Sequence, residues 1–241
     1  MRAIILTTQR TGSTFLVECL RSHPEIESSG EILNGDPDLP QPAYRGPFKD
    51  VVKAFRYASS GAWLADRWIR DFYARGSAKV RCFKAMYNQL SRPFAMHYFD
   101  ANPDIKVMHL RRHNLLKVHV STLLMSKRRF VQTRSPTDAV WLRVDPAQAI
   151  ASMRAARSVQ ERFDKAFERH PRLQLAYESL FDGQFLQADS SRAICAFLGV
   201  PYSPMQSKLM KLNPESLRDM VTNYDELSAA ISKTEFADML A

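Results

Sequence analysis

The sequence predicts an α/β fold: one domain over residues 1–241, with a central, mostly parallel sheet flanked by helices in three layers. Two observations predict it. β-rich runs recur at Ala3–Thr7, Lys79–Phe83, Ile105–Leu110 and Leu173–Tyr177, and helical patterns lie between or after them. Strands alternating with helices pair in parallel and bury both faces. The composition agrees: 45% of the residues are hydrophobic and 24% charged, enough for a sizeable core and too apolar for a disordered chain.

Each element has a local reason. Ala3–Thr7 is short and apolar, and the polar loop Thr8–Gly12 follows it. From Ser13 a helical pattern places Leu16, Cys19 and Leu20 on one face and stops near His23-Pro24, because the residue before proline avoids the helical region. Gly35–Pro47, rich in proline and glycine, reads as a long loop of the kind that carries function. Val51–Tyr73 reads as an amphipathic helix with Trp63, Trp68 and Phe72 toward the core. Further helices are expected over Pro93–Ala101, Asn114–Ser126, Pro146–Arg169 and Ser190–Leu198, and a second loop over Lys127–Thr137. Pro214–Ala241 reads as two short helices broken near Thr222-Asn223-Tyr224.

Lysine and arginine outnumber aspartate and glutamate by 34 to 25, a net charge of +9. This points to an anionic partner: nucleic acid, an acidic membrane surface or a highly charged cofactor. The basic residues are spread along the chain and form no RNA- or DNA-binding motif, which disfavours nucleic acid. No apolar run reaches the ~18 residues of a spanning helix, although peripheral membrane contact stays open. The apolar start is too short for a signal peptide. Cys19, Cys82 and Cys195 are widely spaced and form no metal-type cluster, so buried free thiols and a reducing compartment are expected.

The loop Thr8-Gln9-Arg10-Thr11-Gly12-Ser13-Thr14 has the make-up of an anion site. A strand, a polar turn with one glycine and a helix opening on hydroxyls aim backbone N–H groups and the positive end of the helix dipole at one place. Arg10 adds charge; Ser13 and Thr14 add hydroxyls. The Walker pattern is absent, since the loop is short and lacks the lysine. A second candidate clamp is Arg112 at the end of the Ile105–Leu110 strand with Ser121 two turns into the next helix. Ligands of parallel sheets bind beyond the carboxyl ends of the strands, where both segments lie.

Together these segments resemble the sulfotransferases that use 3′-phosphoadenosine 5′-phosphosulfate (PAPS). Arg10-Thr11-Gly12-Ser13-Thr14 is similar to that family's phosphosulfate loop, and Arg112 with Ser121, inside RRHNLLKVHVS, to its 3′-phosphate clamp. Leu175-Ala176-Tyr177-Glu178-Ser179-Leu180 and Phe197-Leu198-Gly199-Val200 are similar to its later segments. Ser29-Gly30-Glu31 resembles the "GE" of the bacterial carbohydrate, glycolipid and nodulation-factor enzymes, whose glutamate is taken as the base. The chain departs from the cytosolic small-molecule enzymes in carrying Arg10 for lysine and in lacking a matching histidine base. His113 stands where relatives often have arginine, which leaves either Arg111 or Arg112 as the 3′-phosphate ligand.

The resemblance implies a P-loop-like fold, a cytoplasmic enzyme, and in-line transfer from PAPS to a hydroxyl of a carbohydrate, glycolipid or small alcohol. The product nucleotide would be 3′-phosphoadenosine 5′-phosphate (PAP), with no metal required. Arg10 and Glu31 take the catalytic roles; Arg10, Thr11, Gly12, Ser13, Thr14, Arg112 and Ser121 bind the donor. Lys84, at a strand end, has an equal claim to the cleft and to solvent. His97, His109 and His119 fall within regular elements, and Lys127-Arg128-Arg129 reads as a solvated face. The alternative is a P-loop-type phosphotransferase, such as a small kinase. Loops 34–49 and 127–137 are expected to shape the acceptor pocket; acceptor and oligomeric state are not encoded legibly.

Overall fold

The computed structural model describes residues 1–33, 61–91, 95–130, 141–209 and 216–240. They pack as two compact units, one formed by residues 1–8, 12–111 and 166–209, the other by residues 9–11, 112–165 and 210–241.

The first unit is built on a five-stranded parallel sheet. β1 (Arg2–Thr7), β2 (Ile26–Ser29), β3 (Val80–Met86), β4 (Lys106–Arg111) and β5 (Arg172–Ala176) take the order β2-β3-β1-β4-β5. Its helices are α1 (Ser13–Arg21), α2 (Gly61–Ala74), the one-turn α3 (Tyr87–Leu90) and α4 (His97–Asp100), and α7 (Ala188–Leu198). Successive strand residues face opposite sides. Cys82 joins Leu16, Cys19 and Leu20 of α1 and Ile194 and Leu198 of α7 in one core. Phe83 meets Phe72 of α2 at 5.4 Å and Phe99 of α4 at 6.5 Å between ring centroids. Each fully buried ring contributes roughly 2–3 kcal/mol through burial. A hairpin of β6 (Phe181–Asp182) and β7 (Phe185–Leu186) follows β5.

The second unit holds α5 (Leu115–Phe130), α6 (Pro146–Ala166, its last residue grouped with the first unit) and α8 (Tyr224–Ile231). Its core joins Leu116, Val120 and Leu124 of α5 to Met153 of α6, Leu227 and Ile231 of α8, and Phe236. Leu142 bridges Val221, its N–H donating to the Met220 carbonyl at 2.8 Å.

The four expected strands are present, three within one residue at each end and the Lys79–Phe83 strand running three residues further, to Met86, and the three thiols are free and buried. Burial pushes the Cys19 and Cys82 thiols up to about 12. Several expectations are corrected. Lys127–Phe130 continues α5 instead of opening a loop, because lysine and arginine are good helix formers; residues 131–137 lie outside the described residues. Of the Val51–Tyr73 helix, Gly61 onward is helical, and residues 51–60 lie outside the description. Of the expected Pro93–Ala101 helix, His97–Asp100 alone among the described residues forms an α-helical turn, and residues 93–94 lie outside the description. Among the described residues of the C-terminal segment only Tyr224–Ile231 is an α-helix, followed by a 3-10 turn at Ala237–Leu240. Residues 216–223 are turns and a bridge instead, because Thr222 and Asn223 bond to Leu142 and Val144.

β2 and the hairpin escaped the sequence pattern. Ile26-Glu27-Ser28-Ser29 has one apolar residue, yet Ser28 and Ser29 are buried beside β3. The hairpin strands are two residues each, too short for any periodicity.

Candidate active site

In the first unit β1 and β3 end in register, Thr7 opposite Met86, and β4 runs parallel with His109 opposite Leu6. This is the edge where parallel sheets bind ligands. The chain leaves β1, turns, and enters α1 with Gly12 as N-cap. Gly12 has φ +76°, and a Cβ there would lie 2.7 Å from Cδ2 of Tyr177 and 2.9 Å from Cε2 of Phe181. Only glycine meets both demands, positive φ and close approach. The cap has no side chain to satisfy the first N–H groups of α1, which favours an anion there. Ser13 is buried and Thr14 exposed at this end.

Lys84 of β3 reaches the same place. It is buried, and its Nζ lies 2.8 Å from Oε1 of Glu31 and donates to Oγ1 of Thr14 at 3.4 Å. Its backbone N–H donates to the Gly30 carbonyl at 3.2 Å, which ties the Glu31 turn to β3. Gln89 of α3 donates from Nε2 to the other Glu31 oxygen at 2.9 Å. A carboxylate, an ammonium and a hydroxyl thus converge at the start of α1. Lys84 lies within β3 and is buried, so the reading of it as a solvent-exposed strand end is corrected.

At the end of β4, Arg111 turns back along its strand: Nη2 lies 3.3 Å from Nδ1 of the fully buried His109, whose Nε2 meets the Tyr87 hydroxyl. His97 pairs with Asp66 of α2. Burial pushes His119 below the ordinary imidazole range, leaving it neutral at pH 7. His113 is exposed.

The second unit gathers Arg10, Arg112 and Ser121. Arg10 Nε donates to Ser121 Oγ at 2.8 Å, and Arg112 Nη1 donates to the Arg10 carbonyl at 3.3 Å. Ser121 is buried on α5. Arg10 has φ +63°, the one described non-glycine residue with positive φ. That conformation costs roughly 1–2 kcal/mol, and the two bonds offset it. Such strain held by polar contacts collects at ligand sites. The residues Arg10 and Ser121, 111 positions apart in sequence, are therefore directly bonded.

Of the sequence-derived candidates, Gly12, Ser13, Thr14 and Glu31 fall in the first unit and Arg10, Thr11, Arg112 and Ser121 in the second. Gln89 was missed. Its only sequence signal is a glutamine three positions after a strand end, where it can reach back to cap the following turn. Among the described residues no group of three or more histidine, cysteine or acidic side chains is placed to hold a metal. No described helix is long and apolar enough to cross a membrane.

The first unit thus presents a strand–loop–helix turn at the carboxyl edge of a five-stranded parallel sheet, with Lys84, Glu31 and Thr14 drawn together beside it. Comparison with known proteins gives the class. A profile described as the Sulfotransferase family matches residues 3–204, most of the chain. The chain belongs to that family, and its class of reaction is sulfuryl transfer. A crystal structure of a sulfotransferase from Alicyclobacillus acidocaldarius is similar over 100% of this chain and 96% of that one, with TM-score 0.52 and 18% identity, a likeness of fold. No curated protein matches the chain.

Proposed function

We propose that this enzyme moves the sulfuryl group of PAPS to a hydroxyl of a carbohydrate, glycolipid or small alcohol, with PAP as the other product. The observation that carries this reading is the convergence of Lys84 and Glu31 beside Thr14 at the start of α1. A cation for the transferred group and a carboxylate for the acceptor proton are the two things in-line transfer to a hydroxyl needs.

The donor set suits such a nucleotide. The N-terminal amides of α1, with Thr14 and Lys84, match a phosphosulfate end. Arginine with serine, as in Arg112 and Ser121, matches a phosphate dianion. We assign the 3′-phosphate to Arg112 over Arg111, because Arg112 bonds the carbonyl of Arg10, whose guanidinium bonds Ser121, while Arg111 turns back to His109. Bound PAPS supplies a sulfuryl group already activated by its anhydride link to phosphate.

Glu31 accepts the acceptor hydroxyl's proton as that oxygen bonds sulfur. Lys84 and the amides of α1 stabilise charge on the transferred group. Arg10, which stays protonated throughout, donates hydrogen bonds as the bridging S–O bond breaks and its electron pair leaves with PAP. Its bond to Ser121 sets it beside the proposed 3′-phosphate clamp.

The test is an acceptor screen with labelled PAPS, run on the full chain and on Glu31→Gln. With the acceptor so found, Glu31→Gln lowers turnover by roughly 10²-fold or more while PAP affinity changes little. Turnover within a few-fold of the parent would remove Glu31 as the base.

A further inference from the structure

The Lys84–Glu31 pair does not orient itself; it is held from the second side by a buried amide. Gln89 occupies the third position of α3 and is 3% exposed. Its Oε1 accepts the backbone N–H of Met86 at 3.1 Å. That N–H can only donate, so the amide oxygen must face it and the NH₂ must face Glu31. The orientation is therefore set by chemistry: Nε2 donates to Glu31 Oε2 at 2.9 Å while Lys84 takes Oε1 at 2.8 Å.

The turn carrying Gln89 is itself pinned. Tyr87, the first residue of α3 and 4% exposed, bonds the fully buried His109 of β4 and packs edge-to-face against it, with centroids 5.8 Å apart. The Ser91 hydroxyl donates to the Tyr87 carbonyl at 2.8 Å. A four-residue helix has little stability alone; here its first residue is tied to β4 and Ser91 closes the turn back on that residue. Gln89 is thus a rigid donor on a fixed base. A glutamate on a loop, held only by a lysine with a flexible stem, would sample many rotamers, and misplacement by about 1 Å can cost ~10²-fold in rate.

We propose that Gln89 is a positioning residue for sulfuryl transfer: it fixes the Glu31 carboxylate plane so that Oε1 stays on Lys84 and the acceptor hydroxyl meets the same carboxylate in one geometry. This rests on the reading of Glu31 as the base. Gln89 acts through Glu31 and touches neither donor nor acceptor.

The experiment compares Gln89→Met, Gln89→Glu and Glu31→Gln in the full chain. It reads turnover with labelled PAPS and the acceptor found by the screen, PAP affinity by calorimetry, and the thermal midpoint. Gln89→Met keeps the side chain's length without its amide. Its kcat is expected to fall about 10–10²-fold, with PAP affinity within about twofold and the acceptor KM nearly unchanged. Gln89→Glu places a second carboxylate against Glu31, which is repulsive when both are ionised. Once protonated it can donate as the amide did, so its kcat relative to the parent rises as pH falls, a signature a merely structural role would not produce. Gln89→Met with parental kcat overturns the inference while Glu31→Gln stays inactive, as does a Gln89→Glu ratio flat with pH. If Glu31→Gln retains turnover, the assignment of the base is what fails.

Discussion

Lys84→Met lowers turnover by about 10²–10³-fold, the cost of removing one preorganised donor from a developing charge. The ammonium is 9% exposed at the side chain and lies between Glu31 and Thr14. Methionine fills its volume but supplies no charge and no donor. The same change destabilises the fold by roughly 3 kcal/mol, toward the low end for a broken buried pair because the surviving Glu31 side chain is 22% exposed. Pairing it with Glu31→Gln separates the effects. The double variant recovers most of the stability, since no lone carboxylate remains, but none of the turnover. Denaturant midpoints and kcat measured across the four proteins check this. If Lys84→Met keeps turnover within about threefold yet loses stability, the lysine is a structural counterion and the charge on the transferred group is met elsewhere.

Gly12→Ala loses PAP binding by about 10²-fold or more. Alanine at φ +76° costs roughly 1–2 kcal/mol before any contact is counted. Its Cβ would also stand 2.7 Å from the Tyr177 ring, which is itself packed 5.6 Å from Phe181. The ring cannot retreat freely, because Phe181 packs in turn on Phe15 of α1 at 4.6 Å. The chain is expected to give way at the loop, so the first amides of α1 lose their common direction. Tyr177→Ala in the same background relieves the clash but not the φ penalty, and recovers binding only in part. Calorimetry with PAP and the thermal midpoint are the readouts. A Gly12→Ala protein that binds PAP as tightly as the parent would mean that the loop does not hold the donor.

The parts of this site that were legible in the sequence are local. β1, the turn, and α1 are consecutive, so composition and a single glycine suffice to mark the strand–turn–helix start as a candidate site. Arg112 and Ser121 stand on one strand end and the next helix. What was not legible depends on sheet order. Glu31 and Lys84 meet because β2 lies beside β3, Ser29 opposite Phe83, so the residues just beyond each come together. β2 carries too little apolar character to be seen as a strand, and without it the pair could not be placed. Gln89 required one more step, the Met86 N–H that turns its amide. The Arg10–Ser121 bond was invisible for the same reason, since nothing local links a loop after β1 to the second turn of α5.

The charge of +9 points to anions but not to which one. Charge acts at long range and carries little shape, whereas Gly12, Lys84 and Arg112 fix positions.

The measurement that bears most directly on the central claim is calorimetric titration of the full chain with PAP, without added metal, against adenosine 5′-phosphate as control. The account predicts PAP binding on the order of micromolar, at least about tenfold weaker binding of the nucleotide lacking the 3′-phosphate, and loss of that difference in Arg112→Ala. Equal affinity for the two nucleotides, or no binding of either, would contradict it.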